Sequence, residues 1–166
     1  NECDLVNEPT DPVLTSSWST IMIGQNALPV WCGNGEILMP GLNVCLVGDS
    51  ILDNATYVPG GLSVIEQLRQ RLAPEEVATL LARDGSVLAD VPAQLQDIPA
   101  DATHLVVSIG GNNALLEQEV MTVAAGTVIE ALGHLSAIRV EFRHEYRRIL
   151  RQVLRLGLRT AVCTIY

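Results

Sequence analysis

An apolar run, Val44 to Val47, stops abruptly at Gly48-Asp49-Ser50. A short apolar run closed by a small-residue turn is the pattern of a strand buried on both faces. Such a strand would deliver the Ser50 hydroxyl to the edge of its sheet. A second run, Leu105 to Ile109, delivers Gly110, Gly111, Asn112 and Asn113 in the same way, and between the two Ala78–Ala82 leads into Arg83, Asp84, Gly85 and Ser86. Three strands thus end in a hydroxyl, a small-residue turn and a side-chain amide. These are the parts of serine acyl-transfer chemistry: a nucleophile and donors for the oxyanion it generates.

The rest of the chain supplies the helices such a sheet needs. Leu62, Ile65, Leu68 and Leu72 have helical spacing, and residues 87–96 read as a short helix broken before Pro99. A long helix is expected over 127–156, where Leu135, Ile138, Phe142, Tyr146, Ile149, Val153 and Leu156 step by three or four. Gly157 fits its stop, and Arg159–Tyr166 reads as a fourth strand. Strand and helix alternate, which predicts a parallel sheet with helices on both faces. In such sheets ligands bind outside the carboxyl ends of the strands, where Ser50, Gly85 and Asn112 would lie.

Residues 1–40 are different. They contain Pro9, Pro12, Pro29, Pro40 and Gly33-Asn34-Gly35 but no Lys or Arg, and they hold both tryptophans, Trp18 and Trp31. This is turn and loop composition. The expectation is an irregular N-terminal segment lying outside a domain that begins near residue 41. The chain also stops at Tyr166 within or just after an expected strand, so the domain, 41–166, is expected to lack its C-terminal part.

Charge and composition narrow the function further. The 166 residues are 48% hydrophobic and 17% charged, with a net charge of −9, which reads as globular and argues against a nucleic-acid partner. No lysine is present, so no phosphate-binding loop with its lysine exists. Arg139, Arg143, Arg147, Arg151 and Arg155 recur every four residues and read as a solvated helix face interrupted by Glu141 and Glu145. No Asp/Glu spacing suggests a metal site. No apolar run reaches the roughly 18–20 residues of a membrane helix, and no basic flank precedes a hydrophobic block as in an intact secretory signal. Cys45 and Cys163 sit in apolar runs as small hydrophobes; Cys3 and Cys32 could pair, with reduced thiols the favoured alternative. Cytoplasm is the default location.

At three places the sequence resembles the GDSL, or SGNH, family of serine esterases and lipases. Gly48-Asp49-Ser50-Ile51 resembles the first block of that family, with Ile in place of the usual Leu. Gly85 resembles the glycine of the second. Gly110-Gly111-Asn112-Asn113 resembles the third, with Asn113 replacing the usual Asp. Asp53-Asn54, Tyr57–Gly61 and Ala161–Tyr166 also look like bacterial intracellular members. The resemblance covers about residues 42–166. It implies an α/β, flavodoxin-like three-layer sandwich with a parallel sheet, and hydrolysis of a small-molecule carboxylic ester without a cofactor. It further implies that Ser50 is the nucleophile, and that the Ser50 and Gly85 amides and the Asn112 side chain form the oxyanion hole.

The fourth block of the family, Asp-x-x-His, supplies the base and the acid that orients it, and this sequence contains no such motif. The general base histidine and its aspartate are therefore expected outside this chain. His104 precedes the third strand and belongs at the opposite end of the sheet, while His134 and His144 fall on the long helix; each reads as a surface or capping residue. Asp49 reads as a loop brace, because adjacent side chains on an extended segment point apart. Asp53 and Asn54 read as braces for the turn into the next helix. Two other readings stay open: a thioesterase or carbohydrate O-deacetylase on the same machinery, and a catalytically incomplete fragment or pseudoenzyme that only binds.

Overall fold

Along Asn43–Gly48 successive side chains alternate between two separate apolar clusters, and every residue of the strand is buried. Val44 and Leu46 pack with Leu52, Ile65, Ala78 and Ala82 on one face. Cys45 and Val47 pack with Leu88, Val91, Leu105, Val107, Ile149 and Val153 on the other. A strand with period-2 alternation and two buried faces can only be the centre of a three-layer arrangement.

The structure is a computed structural model that describes residues 20–23, 30–31, 37–38 and 41–164. In chain order its strands are β1 (Thr20–Ile23), β2 (Val30–Trp31), β3 (Ile37–Leu38), β4 (Asn43–Gly48), β5 (Val77–Leu80), β6 (His104–Ser108) and β7 (Arg159–Cys163). Its helices are α1 (Val64–Arg69), α2 (Val91–Gln96), α3 (Gly111–Leu116) and α4 (Val128–Leu154), with short 3-10 turns at Ala55–Tyr57, Leu88–Asp90 and Glu117–Thr122. The main sheet runs in the order β1-β7-β6-β4-β5. β4 is parallel to both β5 and β6, and β6 is parallel to β7. Consecutive parallel strands reverse direction of travel between β4 and β6, the flavodoxin-like order, so the crevice above this pair is the topological switch point.

The expected α/β architecture is therefore present, with α1 on one face and α2 and α4 on the other. Two features differ in detail from the sequence reading. The sheet is not wholly parallel, because β1 pairs antiparallel with β7, Thr20 opposite Cys163 and Ile23 opposite Thr160. The segment 111–122, which has no clear apolar period, forms α3 and a 3-10 turn. The reading of Tyr166 as strand, and that of Cys3 and Cys32, lie outside the described residues. Cys45 and Cys163 are free thiols, and burial pushes both upward in pKa, as expected of inert packing cysteines.

Local signals set the helix limits. α1 is shorter than its apolar spacing suggests. It starts at a reciprocal capping box in which the Ser63 amide donates to Glu66 Oε2 at 2.8 Å, and Ala73-Pro74 prevents extension beyond its last turn. α4 is capped by Thr127, whose Oγ1 accepts from the Glu130 amide at 3.1 Å. It ends before Gly157 at φ +68°, a conformation in which glycine has no side-chain penalty. Only Ile149 and Val153 of its 27 residues are buried, so the last three turns hold this helix to the sheet. Replacement Ile149→Ala should cost about 3 kcal/mol, whereas Ile129→Ala, at an 84% exposed position, should stay within about 0.5 kcal/mol. Urea unfolding of the two variants checks this; equal losses would mean that α4 is not anchored through its C-terminal turns.

Candidate active site

The site begins at a backbone position that only glycine can occupy. Gly48, the last residue of β4, has φ +143°, and a Cβ there would lie 1.7 Å from the Ser108 carbonyl oxygen of β6. The close approach lets the Asp49 amide donate to that oxygen at 3.0 Å. The chain then turns at once. The Asp49 carbonyl accepts from the Leu52 and Asp53 amides at 3.1 and 3.0 Å, and Asp49 Oδ1 accepts from the Ile51 amide at 3.1 Å. Ser50 sits half-buried at the front of this turn. Its hydroxyl and its amide have no hydrogen-bond partner among the described residues.

The loop after β5 is tied to this turn. The Arg83 amide donates to the Gly48 carbonyl at 3.1 Å, and the Asp84 amide donates to Asp53 Oδ2 at 2.9 Å. Tyr57 Oη donates to the Asp84 carboxylate, 2.9 and 3.0 Å from its two oxygens. Gly85 takes φ +76° and is exposed, and its amide is free of any partner among the described residues. Asn54 also braces, with its Oδ1 accepting from the Val64 amide at the first turn of α1 at 2.8 Å.

β6 delivers the third part. Gly110 at φ +115° turns the chain into α3. Asn112 Nδ2 donates to the Ser86 carbonyl at 2.8 Å, which fixes the amide beside the Gly85 loop and leaves its second N–H unused within the loop. Asn113 Oδ1 accepts from the Leu88 amide at 2.9 Å. The loops carrying Ser50, Gly85 and Asn112 thus meet along one edge of the sheet, at the carboxyl ends of β4, β5 and β6.

A residue that pattern reading overlooks binds these loops together. Gln94, on α2 and 2% exposed, accepts from the Gly48 amide at 2.8 Å and donates to the Gly48 carbonyl at 2.9 Å. The same Nε2 donates to Ser86 Oγ at 3.1 Å. The only sequence signal for it is a polar residue in register with Val91 on the buried face of a short helix. An amide is the side chain that can satisfy a donor and an acceptor of one backbone residue together.

No family model and no curated protein matches this sequence, but solved structures do. An extracellular lipase from Streptomyces rimosus superposes with a TM-score of 0.50 at 17% identity, over 72% of this chain and 58% of the lipase. The chain has the SGNH hydrolase fold. A phospholipase A1 from Streptomyces albidoflavus NA297 gives a TM-score of 0.48 at 18% identity, covering 74% of this chain and 58% of that one. A psychrotrophic esterase from Pseudoalteromonas gives 0.38 at 18%, covering 75% and 60%. The chain thus spans somewhat over half the length of the solved structures it resembles.

Within the SGNH fold the histidines take the places the sequence suggests. His104 opens β6 in register with Val44 and Arg159, at the amino ends of the strands and about four residues of strand from Ser108. Its Nδ1 lies 2.9 Å from Thr103 Oγ1, and burial, with Arg159 nearby, lowers its pKa. His134 and His144 are on α4. Among the described residues no histidine is hydrogen-bonded to Ser50 or to a carboxylate. No group of three or more His, Cys, Asp or Glu side chains among them is arranged to hold a metal, and no described helix is long and apolar enough to cross a membrane. A cavity of about 210 Å³ lies at the opposite edge, lined by Gly41, Asn43, Glu75 and Asp101 among others, and contains none of the site residues.

Asp49 carries the main electrostatic feature. It is 3% exposed, and burial raises its carboxyl pKa, opposed by the Ile51 amide and assisted by Asp84. A carboxyl whose pKa is higher folded than unfolded contributes stability that is present below its unfolded pKa and lost as pH rises through the folded one. Asp49→Asn, which keeps the acceptor for Ile51, should therefore be at least as stable as the wild type at neutral pH, with the difference shrinking as pH falls through the carboxylate range. Denaturation across pH measures this; a variant that weakens most at neutral pH would reverse the sign. Gln94→Met should lose about 3 kcal/mol in the same assay, because two buried backbone groups of Gly48 lose their partners. A loss below about 1 kcal/mol would mean water replaces the amide.

Proposed function

We propose that this chain carries the nucleophile and oxyanion donors of a carboxylic ester hydrolase that works through an acyl-enzyme. The observation that supports it best is the joining of the Ser50, Gly85 and Asn112 loops by direct hydrogen bonds at one sheet edge, with the amides of Ser50 and Gly85 left unpaired among the described residues. Preorganised donors of this kind stabilise charge that develops only in the transition state. The lipase whose fold the chain shares is consistent with this chemistry.

In the proposed reaction Ser50 Oγ bonds to the ester carbonyl carbon as its proton passes to a base, and the carbonyl electron pair moves onto the oxygen. The two amides and Asn112 Nδ2 hold that oxyanion. Collapse breaks the bond to the alkoxy oxygen, which leaves as alcohol with the proton from the base. Water then repeats the sequence on the acyl-serine. Asn113 fits this scheme as an acceptor for Leu88; that hydrogen bond requires only an oxygen, so an amide replaces a carboxylate at this position. The base and its aspartate are assigned to residues outside this chain. The same machinery would serve a thioester or an acetylated sugar.

The binding-only reading rests on one observation, the lack of a histidine partner for Ser50 among the described residues. Labelling with a fluorophosphonate and turnover of p-nitrophenyl esters separate the two. We expect label on Ser50, and turnover in the residual range of about 10³–10⁴ over water that oxyanion stabilisation and binding leave when a base is missing. Asn112→Ala should lower it by a further factor of about 10². Absence of label on the folded protein, with turnover unchanged by Asn112→Ala, would sink the catalytic reading and leave the binding one.

A further inference from the structure

Of the three donors assigned to the oxyanion, two are backbone amides and one is a side chain. The amides of Ser50 and Gly85 go where their loops go. Asn112 has side-chain torsions of its own, and its amide takes the orientation that its hydrogen bonds select. The one partner of that side chain among the described residues is the Ser86 carbonyl, which accepts from Nδ2 at 2.8 Å. A single hydrogen bond orients a side chain only as well as its acceptor is held.

Ser86 is where the loop after β5 is anchored. Arg83, Asp84 and Gly85 are exposed, whereas Ser86 is 6% exposed. Each of its polar groups is engaged. Its amide donates to the Arg83 carbonyl at 3.2 Å, its carbonyl holds Asn112, and its Oγ accepts from Gln94 Nε2 at 3.1 Å. The bond to Arg83 closes the turn without fixing its place on the molecule. The bond to Gln94 does fix it, because Gln94 is buried and grips both backbone groups of Gly48.

The ladder between β4 and β5 ends with Leu46 opposite Leu80, two residues short of Gly48, and Gln94 bonds Gly48 past that point. Its side-chain nitrogen has two hydrogens. One goes to the Gly48 carbonyl and the other to Ser86 Oγ. The strand that leads to Ser50 and the residue that orients Asn112 are thus tied to the same atom. Any residue at position 86 would offer a carbonyl to Asn112; only a hydroxyl gives Gln94 something to hold.

We infer that Ser86 is a positioning residue: its hydroxyl, held by Gln94, fixes the carbonyl that orients Asn112, so that the second N–H of Asn112 Nδ2 is presented to the oxyanion formed at Ser50. The inference rests on the ester hydrolase reading and adds to it a residue that touches neither the substrate nor the reacting atoms. A donor displaced by about 1 Å loses up to about 10² in rate, the same order as its removal.

Rates of Ser50 phosphonylation by a fluorophosphonate test it in the 166-residue chain, in Ser86→Ala, in Asn112→Ala and in the double variant. The Asn112 side-chain amide is followed in parallel by nitrogen-15 NMR. Ser86→Ala keeps the carbonyl at position 86 and both bonds between Gln94 and Gly48. It should slow labelling about 10-fold when Asn112 is present and leave the rate unchanged when Asn112 is absent, since two residues acting through one donor are not additive. The Asn112 Nδ2 resonances should move toward those of a free amide. Ser86→Cys, which fills the same space with a weak acceptor, gives the same readings should the alanine variant fail to fold. Equal slowing with and without Asn112 overturns the inference, because a residue that only stabilises the fold acts in both backgrounds. Unmoved Asn112 resonances in a folded Ser86 variant also overturn it. An unlabelled wild type overturns the ester hydrolase reading instead, and the resonances still decide the link from Ser86 to Asn112.

Discussion

Everything at the carboxyl edge of the sheet depends on the contact between Gly48 and Ser108. Two parallel strands ordinarily diverge at their ends, but here the absence of a side chain lets β4 press its last residue onto the Ser108 carbonyl while Asp49 hydrogen-bonds across the gap. The turn carrying Ser50 is thereby started at a fixed height above β6. Gln94 completes the arrangement from the other face by satisfying the amide and the carbonyl of the same glycine. Between two buried residues such as Gly48 and Gln94 a hydrogen bond is electrostatically stronger than in water, and an unpaired group is correspondingly costly.

The same interaction links packing to electrostatics. Gln94 Nε2 reaches Ser86 Oγ, the Ser86 carbonyl holds Asn112, and Asp53 holds the Asp84 amide. Three loops with no sequence proximity become one rigid rim. Asp49 serves this rim as a brace rather than as an acid–base group, because its carboxylate is turned back onto the Ile51 amide. Asp84 is a partner for Tyr57 and keeps that phenol protonated by raising its pKa. The acidic residues near Ser50 thus hold the loops around it.

Much of this was legible in the residue pattern. The four parallel strands follow from Val44–Val47, Ala78–Ala82, Leu105–Ile109 and the run after Arg159, because a strand buried on two faces must be continuously apolar. α4 was visible through its three- and four-residue steps, although its stripe turned out to be covered only in its last turns. α3 and the following 3-10 turn were not, since residues 111–122 lack an apolar period and fold there because Asn112 and Asn113 are held by Ser86 and Leu88 of the neighbouring segment. The antiparallel β1 was equally hidden: a four-residue edge strand is specified by pairing with β7 more than by its own composition.

The sequence by itself determined the four parallel strands, their three exits and the identity of the groups placed there, because burial periodicity and the φ preferences of glycine are local properties. Only the tertiary structure decided how those exits are joined. Gln94 lies 46 residues from Gly48 and Asn112 lies 26 from Ser86. Hydrogen bonds across such separations form only after the strand order has brought the loops together. The same reason explains the exposed half of α4. Its stripe is written in the chain, but whether an apolar stripe is core or surface depends on how far the sheet extends beneath it.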